Sequence, residues 1–258
     1  MSKSSLPASP RPAKTSRLDL LLVARGLAPS REKAQARILS GEVLVGDQKL
    51  TKPGSSVPIG AVIRLLGDAP PFVSRGGLKL AAALDHFQIP VVGRVCLDVG
   101  SSTGGFTDCL LQRGALRVYA VDSGSNQLDY RLRTDPRVRL HERTNARYLP
   151  PAAFGERVDL VTMDVSFISA TLLLPAAVAQ LNPGAVIVIL VKPQFEAGRS
   201  QVGKGGIVRD PEVHAACVAK VHAALVAAGG TPLGVLPSPI LGGAGNQEFL
   251  LAGRTSPA

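Results

Sequence analysis

The chain has few of the residues that build metal sites or disulfide frameworks. Only three cysteines and four histidines occur among its 258 residues. Cys96, Cys109 and Cys217 are odd in number and lie within apolar segments, which favours core thiols in a reducing compartment over a disulfide framework. The histidines show no metal-ligand spacing. We therefore expect a cytoplasmic protein that binds no metal.

Long apolar runs are also missing. The longest unbroken run spans residues 185–191, far short of the roughly 18 residues that a membrane span needs. The N-terminal residues are basic and rich in proline and serine without an apolar centre, so we expect no secretory signal. Hydrophobic residues make up 45% of the chain, which is ample for a core. The sequence thus predicts a folded protein with no membrane partner.

Acidic residues are scarce in the first quarter of the chain. Residues 1–66 hold 11 lysines and arginines against 4 acidic residues, while the remainder holds 18 against 15. A basic module on a nearly neutral body favours attraction to a polyanion. The same segment contains no aromatic residue to anchor it on a membrane surface. Nucleic acid is therefore the expected partner.

The glycine-containing stretch R-V-C-L-D-V-G-S-S-T-G-G at residues 94–105 organises the rest of the chain. An apolar run that stops at Gly100 predicts a buried parallel strand followed by a sharp turn, and the segment after Gly105 has helical periodicity. Strand, glycine turn and helix form the first half of a nucleotide-binding βαβ unit. The candidate ligand contacts of this turn are Gly100, Ser101, Ser102, Thr103, Gly104, Gly105 and Phe106.

The spacing of the glycines argues against a phosphate-binding loop. It does not match the dinucleotide pattern G-x-G-x-x-G, and no Lys-Ser or Lys-Thr closes the turn. Asp122, at the end of the next predicted strand, is placed to accept hydrogen bonds from a ribose, and Asp98 could face a cationic amino-acid end. These groups suit S-adenosylmethionine, and the alternative is a glycine turn without function. Asn145 either meets the adenine edge or only caps a turn.

From residue 94 onward, predicted strands alternate with predicted helices. This alternation indicates a doubly wound, mainly parallel sheet, which is completed by an antiparallel pair. The predicted strands are 95–99, 117–121, 137–140, 158–164, 185–191, 233–237 and 248–252, and the helices are 105–113, 126–133, 169–180 and 211–228. Asp164, Lys192 and Glu248 fall at the strand ends where ligands bind in such sheets. They indicate a reaction centre, whereas Asp164 and Lys192 alone could form an isolated salt bridge.

The N-terminal quarter predicts a small α+β module. After a basic tail predicted to be disordered over residues 1–16, helices are expected over 17–25 and 30–39, with Ala34, Ile38 and Leu39 inward. A hairpin across Gly46-Asp47 and a strand over 57–66 follow. The pattern R-L-D, S-R and G-E-V-L-V-G-D resembles an S4-type RNA-binding domain, here residues 17–67. The resemblance implies RNA contacts by Arg17, Arg31, Lys33, Arg37 and Lys49, and the alternative is a solvated basic face.

A linker over residues 68–74 is expected to lead into a catalytic domain over 75–254. Its motifs S-R-G-G-L-K-L, M-D-V-S-F-I-S, L-V-K-P-Q-F-E, G-K-G-G-I-V-R-D and G-N-Q-E-F-L, with the glycine stretch, resemble the TlyA family, also called haemolysin A. The resemblance implies a Rossmann-like class I methyltransferase domain of the FtsJ type with a seven-stranded sheet. It further implies 2′-O-methylation of ribosomal RNA, with cytidine expected, and a ribosomal RNA or subunit partner. The implied catalytic tetrad is Lys79, Asp164, Lys192 and Glu248, although its local sequence makes Lys79 an ordinary surface lysine.

Lys192 is expected to contact the ribose hydroxyl, either as a base or by steering its lone pair. A lysine acts as a base only where burial or neighbouring cations lower its pKa, so orientation is a serious competing role. Arg199, Lys204 and Arg209 lie in a glycine-rich segment that is predicted to close over the RNA backbone. The alternatives are a membrane-active haemolysin and a ribosome-binding factor without catalysis.

Overall fold

The computed structural model describes residues 14–46, 48–66 and 71–257. Its contacts divide the chain into two compact units, within residues 1–69 and within residues 70–258. Most of the predicted tail, Asp47 of the predicted hairpin turn and the start of the predicted linker lie outside the described residues. Phe72 and Val73, expected in the linker, instead pack against the core of the second unit.

The N-terminal unit contains two helices and two small antiparallel sheets. Its elements are β1 Thr15–Arg17, α1 Leu18–Ala24, α2 Arg31–Leu39, β2 Val43–Val45, β3 Gln48–Lys49, β4 Ser56–Pro58 and β5 Ile63–Leu65. β1 pairs with β4, and β2 lies between β3 and β5. Leu18, Leu22, Ile38 and Val43 are fully buried in one cluster that holds these elements together.

Three details of this unit differ from the sequence prediction. Residues 15 and 16 belong to β1 and not to a disordered tail. The strand expected over 57–66 is two strands, because the Ala61 N–H donates to the Pro58 carbonyl in a turn and Arg25 donates to the carbonyls of that turn. Leu39 is 66% exposed, since Ala34 and Ile38, four residues apart, form the inward stripe of α2 and Leu39 follows one position beyond it.

The C-terminal unit is a seven-stranded sheet with helices on both faces, which confirms the predicted fold class. Its elements are α3 Gly76–His86, β6 Val95–Val99, α4 Gly105–Gln112, β7 Arg117–Val121, α5 Tyr130–Arg133, β8 Val138–His141, β9 Val158–Met163, α6 Leu174–Val178, β10 Leu181–Val191, α7 Pro193–Glu196, α8 Pro211–Ala227, β11 Gly230–Pro237 and β12 Phe249–Thr255. The spatial order is β11-β12-β10-β9-β6-β7-β8, and β12 runs antiparallel to both of its neighbours. The order reverses direction at β6, where such sheets bind ligands.

Successive residues of a strand pack into two different core clusters, one on each face of the sheet. Cys96 packs with α3 and α4 on one face, while Leu97 and Val99 pack with α6 and α8 on the other. This alternation follows from the two-residue period of a strand and buries the sheet on both faces. The C-terminal edges of the strands are thereby left as the place where polar side chains can meet a ligand.

Two predicted helices are much shorter than expected. The helix predicted over 126–133 starts only at Tyr130, because Asn126 has a positive φ of 59° and the Asp129 side chain caps the Arg131 N–H. The helix predicted over 169–180 is a 3-10 turn at Ala170–Leu172 followed by α6, which has a proline in its first turn. Strand β10 begins at Leu181, earlier than predicted, through a register irregularity before Val186.

Candidate active site

The turn after β6 can exist only with glycine at its first position. Gly100 has a φ of +82°, and a Cβ there would lie 2.5 Å from the carbonyl oxygen of Asp164. Asp164 follows β9, so the turn and the end of β9 are in close contact. Gly104 also has positive φ, but a Cβ there would collide with Leu132 and Leu128. Gly104 therefore lets two leucine side chains pack against the turn, and it lines neither of the two cavities described below.

A cavity of about 520 Å³ opens at the C-terminal edges of β6, β7 and β9; we refer to it as the larger cavity. Its volume lies within the roughly 300–1,000 Å³ typical of small-molecule sites. Among the predicted cofactor contacts, Gly100, Ser102, Asp122 and Asn145 line this cavity. The structure thus brings the glycine turn and the ends of three strands to one place.

Asp122 is held firmly at the wall of the larger cavity. Its Oδ2 atom accepts a hydrogen bond from the Ser102 N–H at 2.8 Å, and its Oδ1 atom accepts one from the Gly124 N–H at 2.7 Å. A carboxylate has about four lone-pair positions, so capacity remains for two further donors such as ribose hydroxyls. The geometry therefore suits the role expected of Asp122. Asn145 caps the following turn by accepting from the Arg147 N–H, and it also lines the cavity.

Asp98 lies behind the turn and lines neither of the two cavities described here. It is fully buried, and it accepts hydrogen bonds from the hydroxyls of Thr107 at 2.7 Å and Thr162 at 3.0 Å. Burial raises the pKa of its carboxyl to about 7. The structure therefore places Asp98 beneath the turn and not at a cavity wall, where the sequence had suggested contact with an ammonium group.

A second cavity, of about 280 Å³ and referred to as the smaller cavity, adjoins the first. Gly100, Ser102, Asp164 and Ser166 line both cavities. The remaining predicted contacts Ser101, Thr103, Gly105 and Phe106 line the smaller cavity together with Lys79 and Lys192. Within the described residues, the buried hydroxyl of Ser101 has no hydrogen-bond partner, which is the state expected of a group that awaits a ligand.

Lys192, at the wall of the smaller cavity, is held by two side chains that line both cavities. Its Nζ atom lies 2.6 Å from Asp164 Oδ1 in an ion pair and donates a hydrogen bond to Ser166 Oγ at 2.8 Å. Asp164 ends β9 and Lys192 ends β10, and the two strands are parallel neighbours. Ser166 was not among the residues selected from the sequence, although it lies within the motif that contains Asp164.

Lys79 and Glu248 form a second, buried ion pair beside the smaller cavity. The Lys79 Nζ atom lies 2.5 Å from Glu248 Oε2, and the two residues are 8% and 2% exposed. Lys79 lines the smaller cavity, whereas Glu248 lies behind it. Gly242 allows this placement, because a Cβ there would collide with the Glu248 carboxylate. All four residues of the predicted tetrad are therefore gathered as two adjacent lysine–carboxylate pairs.

Phe167 is a feature that the sequence reasoning missed. It is 91% exposed, has a φ of +65° and lines the larger cavity, with its ring 5.3 Å from that of Phe195. A bulky residue rarely adopts positive φ, and such strain is concentrated at functional sites. The sequence did contain a signal. Phe167 is an aromatic residue three positions after Asp164, beyond the end of the predicted strand, where its side chain is not required for the core.

The basic residues predicted to bind RNA in the N-terminal unit fall into two groups. Arg17 and Arg31 both pair with Asp19, at 2.8 and 3.1 Å, and Gln35 also donates to this carboxylate. Asp19 is fully buried, and the hydrogen bonds from Arg17 hold its pKa well below its usual range. The other predicted contacts are the exposed Lys33 and Lys49 and the half-buried Arg37.

The glycine-rich segment 199–209, referred to as the basic loop, presents Arg199, Lys204 and Arg209 to solvent. It contains two short 3-10 turns and a bridge between Gly203 and Ile207.

No group of three potential metal ligands occurs among residues 14–46, 48–66 and 71–257. Within the same residues, no helix is long and apolar enough to cross a membrane.

Comparisons with known proteins agree with this architecture. A family model of FtsJ-like methyltransferases matches residues 72–255, and an S4 domain model matches residues 16–63. The chain is 48% identical to the 16S/23S rRNA (cytidine-2′-O)-methyltransferase TlyA of Mycobacterium tuberculosis, over 94% of this chain and 91% of that protein. It is 41% identical to Hemolysin A of Brachyspira hyodysenteriae, over 91% and 98% of the two chains.

A solved structure is similar to this chain over nearly its full length. A Streptococcus thermophilus protein matches with a TM-score of 0.72 and 44% identity, over 94% of this chain and 90% of its own. The family model covers more than half of the chain, and the identities extend over nearly its full length. The chain therefore belongs to the TlyA family, whose members join an S4 domain to an FtsJ-like methyltransferase domain.

Proposed function

We propose that this methyltransferase transfers a methyl group from S-adenosylmethionine to a ribose 2′-hydroxyl of ribosomal RNA, with cytidine as the target nucleoside. The observation that carries the proposal is the pairing of Lys192 with Asp164 and of Lys79 with Glu248 around a cavity that adjoins a nucleoside-sized one. Amines and carboxylates at a strand edge are the groups needed to hold and orient a sugar hydroxyl. The target nucleoside is suggested by the name of the M. tuberculosis relative.

The residues of the larger cavity fit S-adenosylmethionine as the methyl donor. Asp122 has unused acceptor capacity for a ribose, Asn145 lines the same cavity and is expected to meet the adenine edge, and the Ser101 hydroxyl is unpartnered within the described chain. Gly100 lets the turn lie directly against the end of β9, so that both form the wall of this cavity. When bound, the sulfonium of S-adenosylmethionine supplies an electrophilic methyl group.

The held position of Lys192 favours an orienting role over a basic one. Methyl transfer would form a bond between the ribose oxygen and the methyl carbon and break the carbon–sulfur bond, whose electron pair stays on sulfur as a neutral thioether, while the hydroxyl proton leaves to solvent water. An ammonium paired with Asp164 has no lone pair with which to accept that proton, but it can donate a hydrogen bond to the oxygen. In our proposal Lys192 thereby directs the oxygen lone pair towards the methyl carbon. Lys79, held by Glu248, contacts the ribose or the adjacent phosphate.

Two surfaces support RNA as the substrate. The N-terminal unit has a large surplus of basic residues, and the basic loop, which follows Lys192 along the chain, carries three exposed cations. The exposed ring of Phe167 offers a platform on which the base of the target nucleotide can stack. A ribosomal substrate also agrees with a cytoplasmic location, which stays an expectation.

The decisive experiment measures transfer of labelled methyl groups from S-adenosylmethionine to free ribosomal RNA and to purified small and large subunits. We expect incorporation, with ribose-methylated cytidines mapped at defined positions and lost in Lys192→Ala. Labelled base nitrogen or carbon instead of ribose oxygen would contradict the proposal, and so would the absence of labelling on every RNA substrate. The haemolysin alternative predicts lysis of lipid vesicles, and we expect none from a protein that acts on ribosomal RNA.

A further inference from the structure

The side chain of Asn246 links the basic loop to the strand segment that carries Glu248. Asn246 is fully buried. Its Oδ1 atom accepts a hydrogen bond from the Val208 N–H at 2.9 Å, and its Nδ2 atom donates to the Gly206 carbonyl at 2.9 Å. One amide thus binds the loop backbone on both sides of Ile207. Because an asparagine offers a donor and an acceptor together, neither alanine nor an ionised aspartate can replace both bonds.

The backbone of Asn246 also closes the turn that places Glu248. The Gly242 N–H donates to the Asn246 carbonyl at 2.9 Å, and the Gly245 N–H donates to the Gly242 carbonyl at 2.9 Å. Gly242 contacts the Glu248 carboxylate so closely that no Cβ fits between them. The Ser238 N–H then donates to the Glu248 carbonyl at 2.8 Å. A shift of Asn246 must therefore move the Glu248 side chain or open this turn.

A second side chain holds the same loop residue, Val208, through its carbonyl group. A ring nitrogen of His214, on α8, lies 2.9 Å from the Val208 carbonyl oxygen, and the His214 ring packs edge-on against Phe249. Val208 itself is buried with Val213 and Cys217. The loop backbone at Val208 is therefore tied to residues on both sides of Glu248.

We propose that Asn246 is a positioning residue that aligns the Glu248–Lys79 pair and makes this alignment depend on the basic loop. The inference rests on the function proposed above. Cations of the loop that bind RNA backbone restrain residues 203–208, and Asn246 passes this restraint to Glu248 through its two side-chain bonds. The Lys79 ammonium, held by Glu248, is then fixed where it meets the substrate. Bound RNA thereby completes the arrangement that methylates it.

The first test is kinetic and uses Asn246→Ala and Asn246→Asp in the full-length protein. We expect kcat on ribosomal RNA to fall roughly tenfold or more, while the dissociation constant for S-adenosylmethionine stays within about twofold of wild type. The matched control is Asn182→Ala, which removes an asparagine hydrogen bond to Asp159 near the N-terminal ends of β10 and β9, away from the cavities. A merely structural role would lower cofactor affinity and thermal stability along with kcat.

A double-variant cycle tests whether Asn246 acts through Glu248. If it does, Asn246→Ala changes the rate by less than about twofold in a Glu248→Gln background. Equal, independent losses in the two backgrounds would overturn the inference. A triple variant, Arg199→Ala, Lys204→Ala and Arg209→Ala, neutralises the basic loop. In the otherwise wild-type enzyme it should lower kcat and raise the KM for RNA. In the Asn246→Ala background it should raise the KM for RNA and leave kcat unchanged.

A readout that needs no activity separates this inference from the proposed function. In the free protein, amide hydrogen exchange of Val208 and Ser238 should both accelerate in Asn246→Ala, while amides of the central strand β9 stay unchanged. Unchanged protection of Ser238 would show that Glu248 is not positioned by Asn246. The two proposals can fail separately. If Asn246→Ala accelerates exchange at both amides but the wild-type protein methylates no RNA, the proposed function is contradicted and the mechanical link stays supported.

Discussion

The Nζ atom of Lys79 lies 2.5 Å from the Oε2 atom of Glu248, although 169 positions separate the two residues in the chain. Helix α3 carries the lysine, and the segment that enters β12 carries the glutamate. Both side chains are buried, so each charge depends on the other for compensation. The pair is therefore a structural as well as a chemical unit.

The first prediction follows from this mutual dependence. Glu248→Gln and Lys79→Met each leave one charge buried without its partner and should lower the free energy of unfolding by about 3–5 kcal/mol. The double variant should recover part of this loss, because neither charge then stays buried without its partner. Urea unfolding followed by circular dichroism measures the three values.

The control for this series is an ion pair at the surface. Arg113 and Asp85 are paired but exposed, so Arg113→Ala should change stability by less than about 1 kcal/mol. A double variant no more stable than either single variant would mean that the buried charges do not compensate each other.

The second prediction distinguishes the two roles of Lys192. Arginine keeps the charge and the hydrogen-bond donors but cannot lose its proton in a protein. If Lys192 orients the ribose oxygen, Lys192→Arg retains measurable methyl transfer, whereas Lys192→Ala loses it with cofactor affinity nearly intact. Single-turnover rates and cofactor titrations measure both quantities. Equal inactivity of the two variants would favour the base role.

The third prediction concerns the pH dependence of stability caused by Asp98. Burial raises the pKa of its carboxyl in the folded state to about 7, well above the ordinary value of about 3.9 for an aspartate, so the folded state binds the proton more tightly than the unfolded state. The contribution of this group to stability is full below about pH 4 and is lost as the pH rises to about 7. Asp98→Asn does not titrate, and the threonine hydroxyls that donate to Asp98 can also accept from an amide.

The stability of Asp98→Asn relative to wild type should therefore increase between pH 4 and pH 7 and level off above. The upper bound of this change is about 4 kcal/mol. Urea unfolding at pH 5, 6, 7 and 8 measures it. A difference that is constant across this range would show that the carboxyl does not titrate where its burial indicates.

The sequence predicted the order of the catalytic elements well because buried parallel strands are continuous apolar runs. It failed where a single backbone conformation decides the outcome. The positive φ of Asn126 delays α5, and no periodicity in the neighbouring residues reports that angle. Such terminal details depend on tertiary contacts, which a local pattern does not contain.

The candidate site was only partly visible in the sequence. Asp122, Asp164 and Lys192 follow strands, so the rule for parallel sheets placed them at one edge. Lys79 lies on a helix that precedes the sheet, and only resemblance to a family selected it. The placement of Asp98 was foreseeable: two-residue alternation puts it on the same face as Cys96, beneath α4, and not in the cavity.

The fourth prediction assigns Phe167 to base stacking. Its ring is almost fully exposed, so Phe167→Ala should leave the free energy of unfolding unchanged within about 0.5 kcal/mol. Loss of a stacked base costs roughly 1–3 kcal/mol, which corresponds to about a 5- to 150-fold loss in kcat/KM for RNA. Phe167→Tyr should retain activity. The matched control is Tyr130→Ala, an exposed aromatic that lines neither cavity, and a comparable loss there would remove the specific role of Phe167.

The fifth prediction asks which effect governs RNA binding by the N-terminal unit: attraction by its net positive charge, or the positioning of Arg17 and Arg31 by Asp19. Asp19→Asn removes a negative charge from a basic module, and attraction alone would then strengthen RNA binding. We expect the opposite, because Arg17 and Arg31 lose the buried carboxylate that holds their guanidinium groups. Affinity for ribosomal RNA should fall together with the stability of this unit.

Lys33→Ala provides the comparison for this last prediction. Lys33 is exposed, so its removal should weaken binding without changing stability, and the slope of log affinity against log salt should decrease by about one. Filter binding at several salt concentrations gives both the affinities and the slopes. Tighter binding by Asp19→Asn with unchanged stability would mean that the two arginines reach RNA without the carboxylate, and that net charge alone governs this surface.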